Sequence, residues 1–359
     1  MREKLRIAQV APLAESVPPK LYGGTERVVS FLTEELVAMG HEVTLFASAD
    51  SRTSAELVAC CPQALRLKGQ GVDELACTLV MLERVLERAQ EFDVIHSHID
   101  YLPFGLYRRA GVATLTTLHG RLDHPDLAKL YAEFCEMPVV AISEAQRQAL
   151  PGAHWVGTVY HGLPPDCGRL NLRPEGYLAF LGRLSPEKRV ESAIAVAQKT
   201  GIPLKIAAKV NDHECDYFDQ QIRPLLDNPL IEFIGEIDDA QKNDFLGNAR
   251  ALLFMVDWPE PFGLAMIEAM ACGTPVIARR CGSVPEVVDE GITGFVCDND
   301  DEAVDAVARL ATLSRRICRE VFEERFTVSR MAQDYVRIYR HLLDASRGPE
   351  AHFSLDAAH

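Results

Sequence analysis

The sequence has no Cys-x-x-Cys spacing among its ten cysteines, no internal repeat and no low-complexity tract. It also has no run close to the ~20 apolar residues that a membrane-spanning helix needs. The adjacent Cys60 and Cys61 are too close for an ordinary bridge or a metal knuckle, so the thiols read as scattered and reduced, the pattern of a cytoplasmic protein. Basic residues are in deficit: 37 Lys and Arg against 52 Asp and Glu give a net charge of −15. That excludes bulk nucleic-acid binding, which needs a basic surface, and leaves at most a weak hold on anionic lipid. No G-x-G-x-x-G follows the first strand pattern, so the dinucleotide fingerprint is missing. The apolar run at residues 7–11 is short, contains Gln9 and stops at Pro12, which makes it a first strand and not a leader. What remains is ordinary globular composition, 48% hydrophobic and 25% charged. The length of 359 residues fits about two domains at ~150 residues each.

Strand and helix patterns alternate along the chain. Strands are expected at residues 5–11, 41–47, 92–96, 113–118, 138–142 and 155–160, with helices at 25–39 and 75–90. Ser143 to Gln146 opens a further helix in capping-box style. Residues 164–176 hold Pro164, Pro165, Gly168, Pro174 and Gly176, the density of a linker. The alternation then restarts, with strands at 177–181, 203–208, 231–234, 251–256 and 274–278. Such alternation implies α/β architecture: two doubly wound parallel sheets facing a cleft. Domains are expected at 1–165 and 166–328, followed by a last helix at 329–346 and a frayed tail at 347–359.

The most informative segment runs from Pro259 to Gly273. Glu260 precedes a helix, and Glu268 is the only charge inside it, costly to bury without a partner. Gly263 lies where the helix opens, so backbone N–H groups point outward there. Carboxylates beside such N–H groups suit a polyhydroxylated, anionic ligand. Gly182-Arg183-Leu184-Ser185-Pro186-Glu187-Lys188 follows a strand. Ser185 suits an N-cap and Pro186 the first helical position. Lys188 then falls in the first turn, disfavoured by the helix dipole unless an anion binds. Arg183 and Lys188 could clamp a diphosphate; read alone, the segment is equally a solvated loop. Gly23-Gly24-Thr25-Glu26 permits close backbone approach to a phosphate but is by itself a plain turn. His119 and His161 end strands, where exposure to a cleft would leave them titratable near neutrality. His96 and His98 share a face of a strand next to Asp100 and offer a rival metal-site reading, short of a third and fourth ligand. Ser283 to Glu286 has capping-box spacing, which makes Glu286 structural, and Asp298 to Asp301 reads as a solvated turn.

Together these residues resemble the retaining glycosyltransferases of family 4, which have the GT-B fold. The likeness extends from the Gly23-Gly24 loop to the last helix. Its most specific parts are Glu260 to Glu268 with Ala271-Cys272-Gly273-Thr274-Pro275-Val276, then Gly182-Arg183 to Lys188. The resemblance implies two Rossmann-like domains, an acceptor side first and a nucleotide-sugar side second, with the last helix crossing back to the first. It implies transfer of a hexose from a nucleoside-diphosphate sugar, by family frequency a uridine one, to an acceptor hydroxyl, without cofactor or metal. Arg183 and Lys188 would neutralise the departing diphosphate and Glu268 would hold the ribose. Glu260, with the N–H groups of Phe262, Gly263 and Leu264, would hold sugar hydroxyls. Gly24 would approach the phosphates, His119 would sit by the sugar, and Gly235-Glu236-Ile237 would meet the base. Two departures stand out: His161-Gly162 where Asn-Gly is usual, and Ala207-Ala208-Lys209 in place of a glycine-rich turn, with Lys209 a candidate third cation. A nucleotide-sugar epimerase, a non-catalytic nucleotide-sugar-binding protein and a metal-dependent hydrolase built on His96 and His98 are the rival readings. Residues 1–165 hold 15 basic and 20 acidic residues, 15 − 20 = −5, which favours a soluble acceptor.

Overall fold

The computed structural model of the protein describes residues 4–20, 23–68, 71–210 and 214–347. In the middle of each sheet short apolar runs form strands that are covered on both faces, as parallel sheets require. The first sheet contains β1 (Arg6–Val10), β2 (Glu42–Ser48), β3 (Glu56–Cys61), β4 (Val94–Ser97), β5 (Ala113–Thr117), β6 (Pro138–Ala141) and β7 (His154–Thr158). The second contains β8 (Tyr177–Arg183), β9 (Leu204–Lys209), β10 (Ile231–Gly235), β11 (Ala249–Phe254), β12 (Val276–Arg279) and β13 (Gly294–Cys297). Their orders are β3-β2-β1-β4-β5-β6-β7 and β10-β9-β8-β11-β12-β13. Strand pairing is parallel throughout. The order reverses between β1 and β4 and again between β8 and β11. At such reversals the crossovers leave to opposite faces and a crevice opens beyond the carboxyl ends of the strands.

Helices α1 (Gly24–Ala38), α2 (Glu74–Glu87), α3 (Phe104–Tyr107), α4 (Pro125–Glu133) and α5 (Glu144–Gln148) belong to the first unit. Helices α6 (Val190–Thr200), α7 (Cys215–Tyr217), α8 (Asp239–Gly247), α9 (Leu264–Ala271), α10 (Val284–Val287), α11 (Asp300–Arg309) and α12 (Arg315–Arg325) belong to the second. The last helix, α13 (Val328–Arg347), returns to the first sheet. Its Met331, Tyr335 and Tyr339 are buried with Ile7, Leu32 and Leu115. This is the expected GT-B arrangement. The tail expected from residue 347 lies outside the described residues, apart from Arg347 at the end of α13.

Two edge strands, β3 and β13, carry weak sequence signals. Four of the six residues of β3 are not buried and it ends in the Cys60-Cys61 pair; β13 has only four residues. Asn299 of the acidic turn caps α11 by accepting from Glu302 N at 3.0 Å. Residues 164–176 contain no helix or strand, yet they are held tightly. Arg319 donates to Gly168 O at 2.7 Å, Ala271 O at 2.6 Å and Pro165 O at 2.7 Å.

The chain crosses between the units twice, and the two crossings touch. Leu163 N donates to Phe326 O and Val328 N to Leu163 O, each at 2.9 Å. Gly162 lies so close that a Cβ built on it would be 2.2 Å from Thr327 O. A Gly162→Ala variant is therefore expected to lose about 3 kcal/mol through overpacking against backbone, read as a lower urea midpoint. Gly152→Ala, whose Cβ would meet nothing within 4 Å, should stay within about 0.5 kcal/mol of the parent.

Candidate active site

The carboxyl ends of the two sheets open into one cleft of about 560 Å³. Gly23, Gly24, His119 and His161 line it from the first unit. Arg183, Lys188, Lys209, Ile237, Glu260, Phe262, Gly263, Leu264 and Glu268 line it from the second. His98 lies behind His119 and reaches the cleft only through it, at 2.9 Å between ring nitrogens.

The sequence places Lys188 in the first turn of a helix capped by Ser185. The structure differs. Pro186–Lys188 is a single 3-10 turn with no side-chain cap, Arg189 is left-handed at φ 52°, and α6 begins only at Val190. The left-handed residue breaks the α-helical ladder between Lys188 and α6, so the helix-dipole penalty expected for Lys188 does not arise. Arg189 itself is held by Asp257 at 2.9 Å and Glu191 at 2.7 Å. The Lys188 ammonium forms an ion pair with Glu260, both side chains being mostly buried. Trp258 Nε1 donates to the same carboxylate oxygen at 2.8 Å. Its ring lies 4.9 Å from the ammonium, within cation–π range. Arg183 is held by Glu187 at 2.6 Å and by Glu214 at 3.1 Å.

Gly263, left-handed at φ 84°, is the N-cap of α9, and no side chain caps that helix. Gly263, Leu264 and Ala265 line the cleft at its mouth. Glu268, one turn further in, has the partner its burial demands: Lys242 Nζ at 2.8 Å. Lys242 also reaches Asp239 at 3.2 Å, and Asp239 pairs with the buried Arg27 of α1. A ladder of alternating charge, Arg27–Asp239–Lys242–Glu268, thus joins the two units across the cleft. Burial raises the Glu268 pKa, but the charges of Lys242 and Arg27 outweigh it and hold the carboxyl below its ordinary value. The sequence signalled that Glu268 needs a cation without saying which one. Lys242, Arg27 and Trp258 carry no motif of their own. Glu26, also in the cleft, has its pKa raised by burial.

The histidines are not the exposed, titratable groups expected from their strand ends. Burial pushes the His119 pKa down to about 3, and His161 lies well below the ordinary range for the same reason. Both imidazoles are neutral at physiological pH. They stack at 5.3 Å, and His161 meets the edge of Phe262 at 4.9 Å. The ring nitrogens of His96 and His98, the rival metal reading, are all engaged with protein partners. His96 bonds Tyr339 at 2.8 Å and Thr117 at 2.7 Å, and His98 bonds His119 at 2.9 Å and Gln9 at 2.8 Å. No group of three or more metal-ligating side chains occurs among the described residues. Glu286 does not complete a capping box with Ser283 either. Ser283 donates instead to Phe262 O at 2.8 Å. Glu286 reaches the other unit and accepts from Glu144 N at 2.7 Å, Ala145 N at 2.6 Å and Tyr160 OH at 3.0 Å.

Two stability measurements check these electrostatics. Lys242→Met leaves a buried carboxylate without its nearest cation, an expected loss of about 3–5 kcal/mol at neutral pH. Because the folded pKa of Glu268 is depressed, its pairing stabilises the parent above the ordinary carboxylate range and is lost as pH falls through the folded value. In the variant burial dominates, the pKa is raised, and stability attributable to Glu268 should increase on acidification. The neutral histidines act separately. Their folded pKa values are depressed, so the unfolded chain takes up protons first and the fold should weaken steadily below pH ~6.5, measured by urea midpoints across pH 4–8.

Two family models divide the chain: Glycosyltransferase Family 4 matches residues 22–166 and Glycosyl transferases group 1 matches residues 170–325. Glycogen synthase of Mycobacterium tuberculosis is 26% identical over 339 residues, 80% of this chain and 81% of that protein. Among solved structures, AviGT4, a glycosyltransferase involved in avilamycin A biosynthesis, is 26% identical with a TM-score of 0.75, covering 95% of this chain and 98% of that one. Anabaena HepE, solved in complex with UDP and glucose, shares the fold at 18% identity and a TM-score of 0.74, covering 94% of this chain and 100% of that one. With each of its two parallel-sheet units matched by a glycosyltransferase family model, the chain belongs to the group 1 glycosyl transferases, GT-B in fold.

Proposed function

We propose that the cleft moves a hexose from a nucleoside-diphosphate sugar, a uridine one in the first instance, to an acceptor hydroxyl with retention of anomeric configuration and without a metal. One observation carries this reading: Arg183 and Lys188 line the same cleft as Glu260, Glu268 and the uncapped N-terminus of α9. A diphosphate leaving group gathers negative charge as the bond from the anomeric carbon to phosphate oxygen breaks. Fixed cations and N–H dipoles stabilise that charge best in a site that excludes water. The acceptor oxygen bonds to the anomeric carbon on the face the phosphate leaves, and the acceptor proton passes to a phosphate oxygen. His119 is neutral and supplies no proton at physiological pH. Glu268 holds the ribose, Ile237 and Glu236 border the base, and Gly24 faces the phosphates. The UDP and glucose bound by Anabaena HepE support a uridine donor by likeness of fold. Domains at 1–165 and 166–328, with 329–346 as the crossing helix, are part of the same proposal.

Thermal-shift screening against nucleoside-diphosphate sugars should single out one donor, stabilising by about 2.7 kcal/mol at 100 times its dissociation constant. Arg183→Ala and Lys188→Ala should each lower nucleoside-diphosphate release in the presence of acceptor by ~10²-fold or more. Parent-like rates in both would defeat the clamp. An isomerised sugar from donor alone would identify an epimerase, and binding without any transfer a non-catalytic module. Lys209→Ala should weaken donor binding; unchanged affinity removes Lys209 from the site.

A further inference from the structure

His119 is held from three directions. Gln146 Nε2 donates to Leu118 O at 3.0 Å and to Gly120 O at 2.9 Å, gripping the turn on both sides. The Asp100 carboxylate accepts from the His119 peptide N–H. His98 meets the ring itself, Nδ1 to Nε2 at 2.9 Å. In a hydrogen bond between two neutral imidazoles, one of those nitrogens carries the proton and the other a lone pair. The far side of His98 decides which. Its Nε2 lies 2.8 Å from Gln9 Oε1, an oxygen that can only accept. On its other side the Gln9 amide meets Tyr339 OH, to which Nε2 donates at 3.2 Å. Gln9, His98 and Tyr339 are all buried, so no solvent competes for these groups.

The proton of neutral His98 therefore sits on Nε2, and its Nδ1 is an acceptor. His119 must donate from Nε2, which leaves its own Nδ1 as a lone pair. That atom is buried and has no hydrogen-bond partner among the described residues, while the ring lines the cleft. A buried acceptor without a partner is rare in folded proteins. We propose that His98 is a positioning residue that fixes the tautomer of His119, so that His119 meets the transferred sugar through Nδ1 as an acceptor and takes its hydrogen from a sugar hydroxyl. The ligand in this proposal rests on the donor-site reading above; the tautomer does not. The order of donation runs from His119 through His98 to Gln9, inward from the cleft to the residues beneath α13.

Long-range proton–nitrogen correlation on the full chain labelled with 15N-histidine tests the tautomer without any ligand. The expected spectrum shows both His98 and His119 protonated at Nε2; an Nδ1-protonated His119 would overturn the proposal. His98→Phe removes the acceptor while keeping a ring. The expected result is a mixed His119 tautomer and a kcat lowered roughly tenfold to a hundredfold, as for partners that orient metal-bound imidazoles, with UDP affinity unchanged. A parent-like kcat, or a His119 still wholly protonated at Nε2, would overturn it. Should that variant fail to fold, the parent spectrum alone decides. Should the parent bind no nucleotide sugar, the donor-site reading fails while the tautomer assignment stands or falls on the spectrum.

Discussion

Glu268 sits on a helix whose other members are apolar, packed among Phe254, Phe262 and Val284. A carboxylate there is tolerable only beside a cation. Lys242 meets the requirement from α8, and its second contact, Asp239, draws Arg27 from the opposite unit. One obligatory ion pair is thereby extended into a bridge that sets how closely α1 approaches α8 and α9. Gly24 at the start of α1 then faces Leu264 at the start of α9, at ordinary van der Waals distance for a Cβ built on it.

The same logic governs the cations proposed to meet phosphate. Lys188 rests on Glu260, and Arg183 on Glu187 and Glu214. A cation in a partly buried cleft needs an anion at all times, and these carboxylates serve until a ligand competes. Their cost is some attraction forgone on ligand binding; their benefit is that the cations are already placed, so little reorganisation accompanies the reaction. Trp258 tightens the arrangement by donating to Glu260 while offering its ring face to Lys188.

The alternating apolar runs were enough to reveal two parallel sheets, because strands covered on both faces leave so plain a trace. Edge strand β3 did not show, four of its six residues being exposed or only partly buried, and β13 did not show either. The positions that line the cleft were legible wherever the residue type is expensive away from a ligand: Glu268 in an apolar helix, Gly263 at a left-handed cap. Partners reached through space were not legible. Nothing near Lys242 in the sequence marks it as the mate of a residue 26 positions away. Local rules also misled where tertiary demands won. Ser185-Pro186 looks like a helix start, yet Arg189 turns left-handed and delays the helix. Glu286 looks like half of a capping box, yet it serves the backbone of α5 across the interface. The histidines looked titratable because strand tips are usually wet; here they are stacked on each other and desolvated enough to stay neutral.

The paired crossings at Leu163 and Thr327 have a mechanical meaning. A single tether would let the two lobes swing, twist and slide. Two tethers joined by a parallel bridge act like a hinge with a fixed pin: they resist torsion and shear more than a single tether would. Every closure then returns the same strand tips to the same facing positions.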